Sequence, residues 1–140
     1  MKKIRLAYIR TQFWLNLKVG GSVSHTLGVL NSLKKSNCIF KIISNEKFLG
    51  IGGFNYKIIK PILFTKKLVE IGELLFNFYS KNKFKNEILK FEPNLIYHRF
   101  SSKTFFITML AKKLKIPLIL EYSGSGVWAL KYWFGKENQF

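Results

Sequence analysis

The hydrophobic positions of the chain repeat with two different periods. Short runs rich in β-branched and aromatic residues predict strands at residues 3–10, 38–44, 56–59, 94–98 and 116–122. Segments with apolar residues three and four positions apart predict helices at 22–35, 65–92, 105–115 and 127–134. Because strands alternate with helices, the pattern indicates an α/β protein with a mainly parallel sheet and helices on both faces of that sheet.

Two of the helical segments carry further detail. Ser22 is the predicted N-cap of the first helix, because a serine side chain can accept a hydrogen bond from the first helical turn. The long segment 65–92 places one set of apolar residues on a single face, namely Leu68, Ile71, Leu75 and Phe78. Its polar stretch KNKFKN, at 81–86, is expected to split it into two helices.

Three predicted strand-to-helix loops are rich in glycine, serine or other polar residues. They cover residues 11–21, 99–104 and 122–127. In an open parallel sheet, ligands bind at the carboxyl ends of the strands, where such loops lie. We therefore expect these loops to form the functional site.

The first of these loops ends in VGGS, at residues 19–22. Gly20 and Gly21 would let backbone N–H groups approach an anion, and the helix that follows would add the positive end of its dipole. The same glycine pair also suits a tight strand-to-helix turn, which spacing alone favours. His25 follows about one turn into the helix and faces either the loop or the solvent.

Several other kinds of site are excluded or disfavoured. No Gly-Lys-Ser/Thr follows a glycine-rich stretch, so there is no P-loop. GIGGF, at 50–54, does not join a first strand to a helix, which makes a plain loop a better interpretation than a dinucleotide fingerprint. The two histidines, the single cysteine and the scattered glutamates show no metal-ligand spacing, so no metal site is predicted. The absence of aspartate excludes a Ser-His-Asp triad.

Composition adds an unusual charge to this picture. The 140 residues fit one domain, with 24 basic against 7 acidic side chains and a formal net charge of +17. Only Arg5, Arg10 and Arg99 are arginines, and specific phosphate or base contacts favour arginine over lysine. A solvated lysine-rich surface is therefore the first interpretation, followed by an anionic membrane surface and then by nucleic acid.

The expected compartment is the cytoplasm. No apolar stretch reaches the roughly 18 residues of a membrane-spanning helix, and the N-terminus lacks the pattern of a signal peptide. Cys38 is the only cysteine, so no intramolecular disulfide can form, and its thiol is expected to be a small buried hydrophobe.

Three stretches at predicted strand-to-helix junctions form a recognisable combination. They are GGSVSHTLGVLNSL, EPNLIYHRFS and KIPLILEYSGSGVWALKYW, in this order. Together they resemble the N-terminal domain of bacterial retaining glycosyltransferases of the GT-B type, and most closely the family 4 group that makes cell-surface polysaccharides. The resemblance covers nearly the whole chain and is weakest between residues 45 and 90.

The resemblance implies one half of a two-domain enzyme. In this family two Rossmann-like domains face each other across a cleft; the N-terminal one carries most of the acceptor site and the C-terminal one binds the nucleotide-sugar. Transfer retains the anomeric configuration and needs no metal, so no cofactor is expected. Residues 1–140 would be a partial N-terminal domain without the donor-binding domain. Such a chain, whether a fragment, half of a split enzyme or a decayed reading frame, is expected to be inactive alone.

The resemblance also assigns site residues by position. Gly20, Gly21, Ser22 and His25 would form the loop beside the donor phosphate and the acceptor. The acceptor side of the cleft would comprise Arg99, Ser101, Glu121, Ser123, Gly124 and Trp128. Many relatives have a histidine where this chain has Ser123, and a serine can bind there but is a poor acid or base. The catalytic group is therefore left unassigned.

A membrane location is implied as well. Lysine-rich domains of this family can lie on the anionic inner leaflet, where lipid-linked acceptors are found. The candidates for that contact are the aromatic residues Phe76, Phe78, Tyr79 and Phe84, interleaved with Lys81, Lys83 and Lys85. The alternative is that the aromatic side chains pack on the sheet and only the lysines face outward.

Two other functions remain open at this stage. One is a non-catalytic basic module that binds anionic membrane or nucleic acid. The other is a nucleotide-binding domain of different chemistry, in which Glu46, after the second strand, would bind a ribose.

Overall fold

The computed structural model describes residues 3–11, 21–48, 50–61, 69–100 and 103–122, and the structural statements below refer to these residues. Its strands are β1 (Ile4–Arg10), β2 (Cys38–Ser44), β3 (Tyr56–Ile58), β4 (Leu95–Arg99) and β5 (Leu118–Glu121). Its α-helices are α1 (Gly21–Lys35), α2 (Val69–Tyr79), α3 (Lys81–Phe91) and α4 (Phe106–Leu114). The predicted α/β pattern is confirmed, while the helix predicted at 127–134 lies outside the described residues.

The five strands form one sheet in the order β3-β2-β1-β4-β5, and every neighbouring pair is parallel. From the central β1 the chain moves outward through β2 and β3, and then returns to the other side of β1 with β4 and β5. The order of strands therefore reverses between β1 and β4. In open α/β sheets the crevice at such a switch point, beyond the carboxyl ends of the strands, is where ligands bind.

Alternate residues of the strands build a separate core on each face of the sheet. On one face Leu6, Tyr8 and Ile42 pack with Val23 and Leu30 of α1. On the other face the core contains strand residues together with residues of α2, α3 and α4: Ala7, Ile9, Ile43, Ile96, Phe76, Phe84, Ile88 and Phe106. The prediction of helices on both faces of the sheet is confirmed.

Two predicted boundaries need correction or refinement. Helix α1 begins at Gly21, so Ser22 belongs to its first turn rather than capping it, and the Ser22 carbonyl accepts a hydrogen bond from Thr26 Oγ1 at 2.9 Å. The long predicted helix is split at Ser80, next to the polar stretch that suggested the break. Both α3 and α4 end at residues in the left-handed conformation, Glu92 and Lys115.

The GIGGF stretch is a turn after β2, as the plain-loop interpretation requires. Gly50 has φ +83°, and residues Ile51–Gly53 form one 3₁₀ turn. A Cβ on Gly50 would lie 2.9 Å from a methyl carbon of Leu27 in α1, so this turn packs closely under the helix. Gly50 therefore serves packing and backbone conformation.

The aromatic residues considered for membrane contact have different environments. Phe76 and Phe84 are buried and pack edge-to-face with ring centroids 5.8 Å apart, and Tyr79 packs against the same core. The alternative in which aromatic side chains pack inside is thus right for these residues. Phe78 is different, because it is exposed. Among the described helices, none is long and apolar enough to cross a membrane.

Candidate functional site

A polar cluster lies at the carboxyl ends of β1, β4 and β5, on the face of the sheet that α1 covers. The strand register pairs Arg10 with Arg99 and Arg99 with Glu121, so these residues are the last ones of three adjacent strands. Two residues earlier, Tyr8 and Tyr97 are paired in the same way, and their rings stack with centroids 5.3 Å apart. The two-residue period of the strands thus directs all five side chains to one face.

Arg99 connects the sheet to the first turn of α1. Its side chain is almost fully buried, and Nη1 donates hydrogen bonds to the Ser22 carbonyl at 3.0 Å and to Thr26 Oγ1 at 2.9 Å. The same nitrogen lies 3.4 Å from Glu121 Oε1. Arg99 therefore fixes the start of α1 relative to the ends of β4 and β5. Its Nε has no hydrogen-bond partner in the described part of the chain.

His25 and Glu121 form the part of the cluster that solvent reaches. His25 Nε2 lies 2.9 Å from Glu121 Oε1, and the two side chains are 53% and 14% exposed, respectively. The other carboxylate oxygen, Oε2, has no partner among the described residues. A carboxylate that accepts from His25 Nε2–H leaves the imidazole Nδ1 as an acceptor. The half-exposed imidazole of His25 can therefore bind a hydroxyl group, whereas Glu121 Oε2 is buried.

The tyrosines under this pair remain neutral phenols in the physiological range. Burial raises the pKa of Tyr97 to about 12, and the nearby carboxylate of Glu121 adds to that shift. Burial also raises the pKa of Tyr8, whose neighbours include Thr26 and Arg99. The two stacked rings are thus uncharged neighbours of Arg99 and Glu121.

Arg10 extends the cluster toward β2. It is fully buried, donates from Nη1 to Glu46 Oε1 at 2.6 Å, and lies with its guanidinium carbon 5.2 Å from the centroid of the Phe48 ring. Burial raises the pKa of Glu46, although the bond from Arg10 opposes that shift. The Glu46 carboxylate is thus engaged by Arg10, which weakens the hypothesis that it binds a ribose.

The opposite face of the same strand ends holds a second polar group, which is closed to solvent. His98 is buried, and its Nε2 lies 2.9 Å from Thr11 Oγ1, which in turn lies 2.7 Å from Thr104 Oγ1. Burial lowers the pKa of His98 to about 3, so the imidazole is neutral at physiological pH. The side chain of Asn77 accepts from the backbone N–H of Phe105 at 2.8 Å and thereby caps α4 above this face.

The structure brings together four of the residues predicted for the site: Ser22, His25, Arg99 and Glu121. Gly21 begins α1 in their vicinity, and a Cβ added to it would meet no atom of the described residues within 4 Å. The other predicted site residues lie outside the described residues: Gly20, Ser101, Ser123, Gly124 and Trp128. Their assignment stays a prediction.

Sequence reasoning missed four members of the cluster: Tyr8, Arg10, Thr26 and Tyr97. A usable signal was present for three of them. Tyr8 and Arg10 in β1, like Tyr97 and Arg99 in β4, are two residues apart at a strand end, which is the spacing of one sheet face. Thr26 had no such signal, because a threonine one turn into a helix has many other roles.

The described residues contain no group of three or more His, Cys or Glu side chains that could hold a metal ion. The charged and aromatic side chains of the described site are two arginines, two glutamates, one histidine and two stacked tyrosines, and Ser22 and Thr26 of α1 bind Arg99.

Comparison with known proteins relates this fold to sugar-transferring enzymes. No protein-family model matches the chain, and no curated protein matches its sequence. Among solved structures, the glycosyltransferase SsfS6 of Streptomyces sp. SF2575 has a TM-score of 0.55 at 12% identity, with 84% of this chain and 38% of that chain covered. MurG of Acinetobacter baumannii has a TM-score of 0.56 at 12% identity, with 91% and 38% covered.

An epimerase shares the same fold. The UDP-GlcNAc 2-epimerase of Methanocaldococcus jannaschii has a TM-score of 0.55 at 15% identity, with 87% of this chain and 32% of that chain covered. These likenesses show the fold, a Rossmann-like domain as in glycosyltransferases of GT-B architecture. The chain spans 38% or less of the length of each of these three structures.

Proposed function

We propose that the chain is the acceptor-side part of a glycosyltransferase that moves a sugar from a nucleotide-sugar to a glycan or lipid-linked acceptor. The observation that carries the proposal is the His25–Glu121 pair, with 2.9 Å between Nε2 and Oε1, at the switch point of the sheet. The fold supports it, because one neighbour is a glycosyltransferase solved with thymidine diphosphate and another an epimerase solved with UDP-GlcNAc.

The solvent-facing part of the cluster suits a hydroxylated acceptor. The half-exposed imidazole of His25 can accept a hydrogen bond from an acceptor hydroxyl through Nδ1, and Glu121 Oε1 fixes that imidazole through Nε2. Glu121 is held by Arg99, and Arg99 is in turn held by Ser22 and Thr26. Groups fixed in this way hold a bound sugar in one orientation, and orientation alone supplies a large part of a transfer rate.

The family resemblance extends the proposal to the chemical step. In a retaining transfer, the acceptor oxygen bonds to the anomeric carbon on the face from which the nucleotide diphosphate leaves. The bond from that carbon to the diphosphate oxygen breaks, and the hydroxyl proton passes to the departing oxygen. Gly20 and Gly21 would contribute backbone N–H groups that stabilise the developing phosphate charge, aided by the start of α1. His25 and Glu121 would orient the acceptor.

The remaining parts of the proposal follow the same resemblance. Ser101, Ser123, Gly124 and Trp128 would complete the acceptor side of the cleft, and the donor would be held mainly by a further domain or a partner chain. The substrates would be a nucleotide-sugar and a precursor of a surface polysaccharide, with no metal or other cofactor. The chain alone would then be inactive, at a cytoplasmic location.

The test is transfer by the longest native polypeptide that contains this sequence. Purified protein is incubated with UDP- and TDP-sugars and a panel of oligosaccharide and lipid-linked acceptors, and the product is identified by mass spectrometry and its anomeric configuration by NMR. We expect acceptor-dependent transfer with retention, and a drop of about 10²-fold in kcat/KM for Glu121→Gln. The control Glu87→Gln, which removes an ion pair with Lys41 away from the cluster, should leave kcat/KM unchanged.

Two other results would each overturn one part of the proposal. Epimerisation of the nucleotide-sugar without an acceptor would replace the transferase assignment. A product with inverted anomeric configuration would contradict the retaining mechanism. It would instead assign to the His25–Glu121 pair the acceptance of the proton from the acceptor hydroxyl.

The net charge of +17 favours one alternative, a non-catalytic basic module. That module would bind DNA or anionic vesicles with an affinity that falls steeply with salt and that is the same for Gly21→Val as for the unchanged chain. The transferase proposal expects Gly21→Val to abolish transfer, because its side chain would fill the open space beside the first turn of α1.

A further inference from the structure

The face of the sheet toward α1 is only partly covered. On this face the strand register places Tyr8, Tyr97 and Ile119 side by side, in one row across β1, β4 and β5. Tyr8 is fully buried, Tyr97 is partly exposed, and Ile119 is 45% exposed. Among the described α-helices only α1 contributes to the core on this face, and that core contains no residue of β5. The cover that α1 provides therefore ends before it reaches β5.

The opposite face of β5 belongs to the other core. Leu118 packs against the core that contains residues of α2, α3 and α4. Leu120 points to that same face, because it lies two residues after Leu118, and it is 48% exposed. Leu120 and Ile119 are thus neighbours in one strand, with similar exposure on opposite faces. Only Ile119 shares a face with the His25–Glu121 pair, so Leu120 provides a matched control for it.

Ile119 lies beside the His25–Glu121 pair. It precedes Glu121 by two residues in β5, so the two side chains share a face and their Cα atoms are about 6.6 Å apart. His25 Nε2 lies 2.9 Å from Glu121 Oε1, which brings the half-exposed imidazole to the same strand end. Val29, one helical turn after His25, is also partly exposed. Three apolar or aromatic residues, which we call the apolar wall, thus border the polar pair: Val29, Tyr97 and Ile119.

This arrangement fits a sugar ring. A pyranose carries hydroxyl groups on its rim and C–H groups on its faces, so its binding site needs a polar group and an apolar surface side by side. His25 Nδ1 can accept from a hydroxyl, because Nε2–H is directed to Glu121. A six-membered ring held at His25 spans the distance to Ile119. Burial raises the pKa of Tyr97 to about 12, so its phenol is neutral and the apolar wall carries no charge.

We propose that Ile119 and Tyr97 are specificity-determining residues, which pack against the C–H face of the acceptor sugar while His25 binds one of its hydroxyl groups. The ligand class is a pyranose with an unobstructed C–H face. A hydroxyl group that pointed from this face toward Ile119 would lose water without gaining a hydrogen-bond partner, and such a sugar binds less well. The inference rests on the proposed function, since it names the kind of acceptor, but its binding test requires no transfer.

Binding is measured in the 140-residue chain by NMR of isoleucine δ1 methyl groups labelled with carbon-13. The Ile119 signal is the one that is absent in Ile119→Val. The probes are methyl glycosides of glucose, galactose, N-acetylglucosamine and rhamnose, and the control is sorbitol, which has hydroxyl groups but no ring. We expect at least one glycoside to shift the Ile119 signal saturably and sorbitol to leave it in place. Ile39, which is 38% exposed on the opposite face of β2, is the internal control.

Transfer is measured with the longest native polypeptide that contains this sequence. Ile119→Asn should raise the KM for the acceptor about tenfold and keep kcat within about twofold, because the lost contact is made in the ground state as well as in the transition state. Leu120→Asn should keep both constants within about twofold, and Ile119→Val should nearly restore the original KM. Both asparagine variants change exposed positions, so their unfolding in urea should be alike.

The outcomes separate this inference from the proposed function. An Ile119 signal that no glycoside moves, or that moves together with the Ile39 signal, would overturn the inference whatever the transfer assay shows. Equal KM values for Ile119→Asn and Leu120→Asn would also overturn it and leave the transferase proposal standing. An Ile119 signal that shifts on dilution without sugar would assign the apolar wall to a contact between two copies of the chain. Saturable binding at Ile119 without transfer to any acceptor would support the sugar site and contradict the transferase proposal.

Discussion

The two faces of the sheet differ most at the same place, the carboxyl ends of β1 and β4. Toward α1, Arg99 and Glu121 reach His25, whose side chain is half exposed. Toward α4, His98 contacts Thr11 in a buried cluster. Both groups are polar and both contain a histidine. Only the group toward α1 combines charge with access from solvent, which is what binding a ligand requires.

This difference shows why position at a strand end does not by itself define a site. His98 and Arg99 are neighbours in sequence and end the same strand, but they point to opposite faces. Burial makes His98 a neutral hydrogen-bonding residue of the core. On the face toward α1, in contrast, the side chain of His25 is half exposed.

The largest effect is expected from Arg99→Met. This change leaves Glu121 without its buried cation and removes the hydrogen bonds from Arg99 Nη1 to the Ser22 carbonyl and to Thr26 Oγ1. The free energy of unfolding in urea should fall by about 3–5 kcal/mol, the cost of breaking a buried pair on one side. Adding Glu121→Leu should recover part of the loss. Arg5→Met, which removes an arginine bonded to the Phe91 and Glu92 carbonyls, should cost less than about 2 kcal/mol. An equal cost for both arginines would contradict the special role of Arg99.

The burial of His98 should make the stability of the chain depend on pH. His98 has a pKa of about 3 in the folded chain, below the ordinary value of 6.5, so the unfolded chain binds the proton more readily. Its contribution to stability is complete above about pH 6.5 and is lost as the pH falls toward 3, at up to about 1.4 kcal/mol per pH unit. The measurement is urea unfolding between about pH 7 and pH 4.5.

The variant His98→Gln isolates this contribution, because Glu46 and Glu87, whose pKa values are shifted in opposite directions, are present in both proteins. Relative to His98→Gln, the unchanged chain should lose roughly 2–3 kcal/mol over that range. Parallel pH curves for the two proteins would show that His98 is not buried in its neutral form.

A smaller loss is expected from Asn77→Ala. The change removes the cap of α4 and leaves the Lys103 carbonyl without this donor. We expect the free energy of unfolding to fall by about 2 kcal/mol, as for a lost cap together with a buried unpaired group. Asn82→Ala, at an exposed position of α3, should change it by less than about 0.5 kcal/mol. Equal effects at the two positions would argue against the cap.

The smallest effect comes from a pair of glycines in α1. A Cβ on Gly21 or on Gly28 would meet no atom within 4 Å. Gly28→Ala should therefore raise the free energy of unfolding by about 0.5–1 kcal/mol, because alanine is the better helix former inside a helix. Gly21→Ala lies at the helix start and should change it by less. A loss of stability in Gly28→Ala would mean that this face of α1 is packed against another part of the molecule.

The sequence was a good guide to the fold and an incomplete guide to the site. Strands such as CIFKIIS at 38–44 and NLIYH at 94–98 were found because continuous apolar runs between turn signals have few other interpretations. Helix ends were less certain, since Ser22 looks like a cap but lies one residue inside α1. The exposure of Ile71, Leu75 and Phe78 on α2 could not be found, because periodicity groups residues on a face without saying which way that face points.

Within the site, motifs predicted His25, Arg99 and Glu121 but not that they touch each other. Their contacts depend on the register of β4 with β5 and on the distance of α1 from the sheet, and neither can be deduced from one sequence. From the sequence, Arg10 contributed only to the net positive charge and was not predicted as a site residue. Its role follows from the pairing of β1 with β4, which places it beside Arg99.

We infer that the face of the sheet toward α1 is the functional one. The most direct measurement compares kcat/KM for sugar transfer between His25→Ala and His98→Gln, each in the longest native polypeptide that contains this sequence. We expect His25→Ala to lose about 10²-fold in kcat/KM with unchanged stability, since the side chain is 53% exposed. His98→Gln should lose stability but keep kcat/KM within about threefold, measured where circular dichroism shows it to be folded. Transfer that is unaffected in His25→Ala, or impaired equally in both variants, would contradict the assignment of the site to the face toward α1.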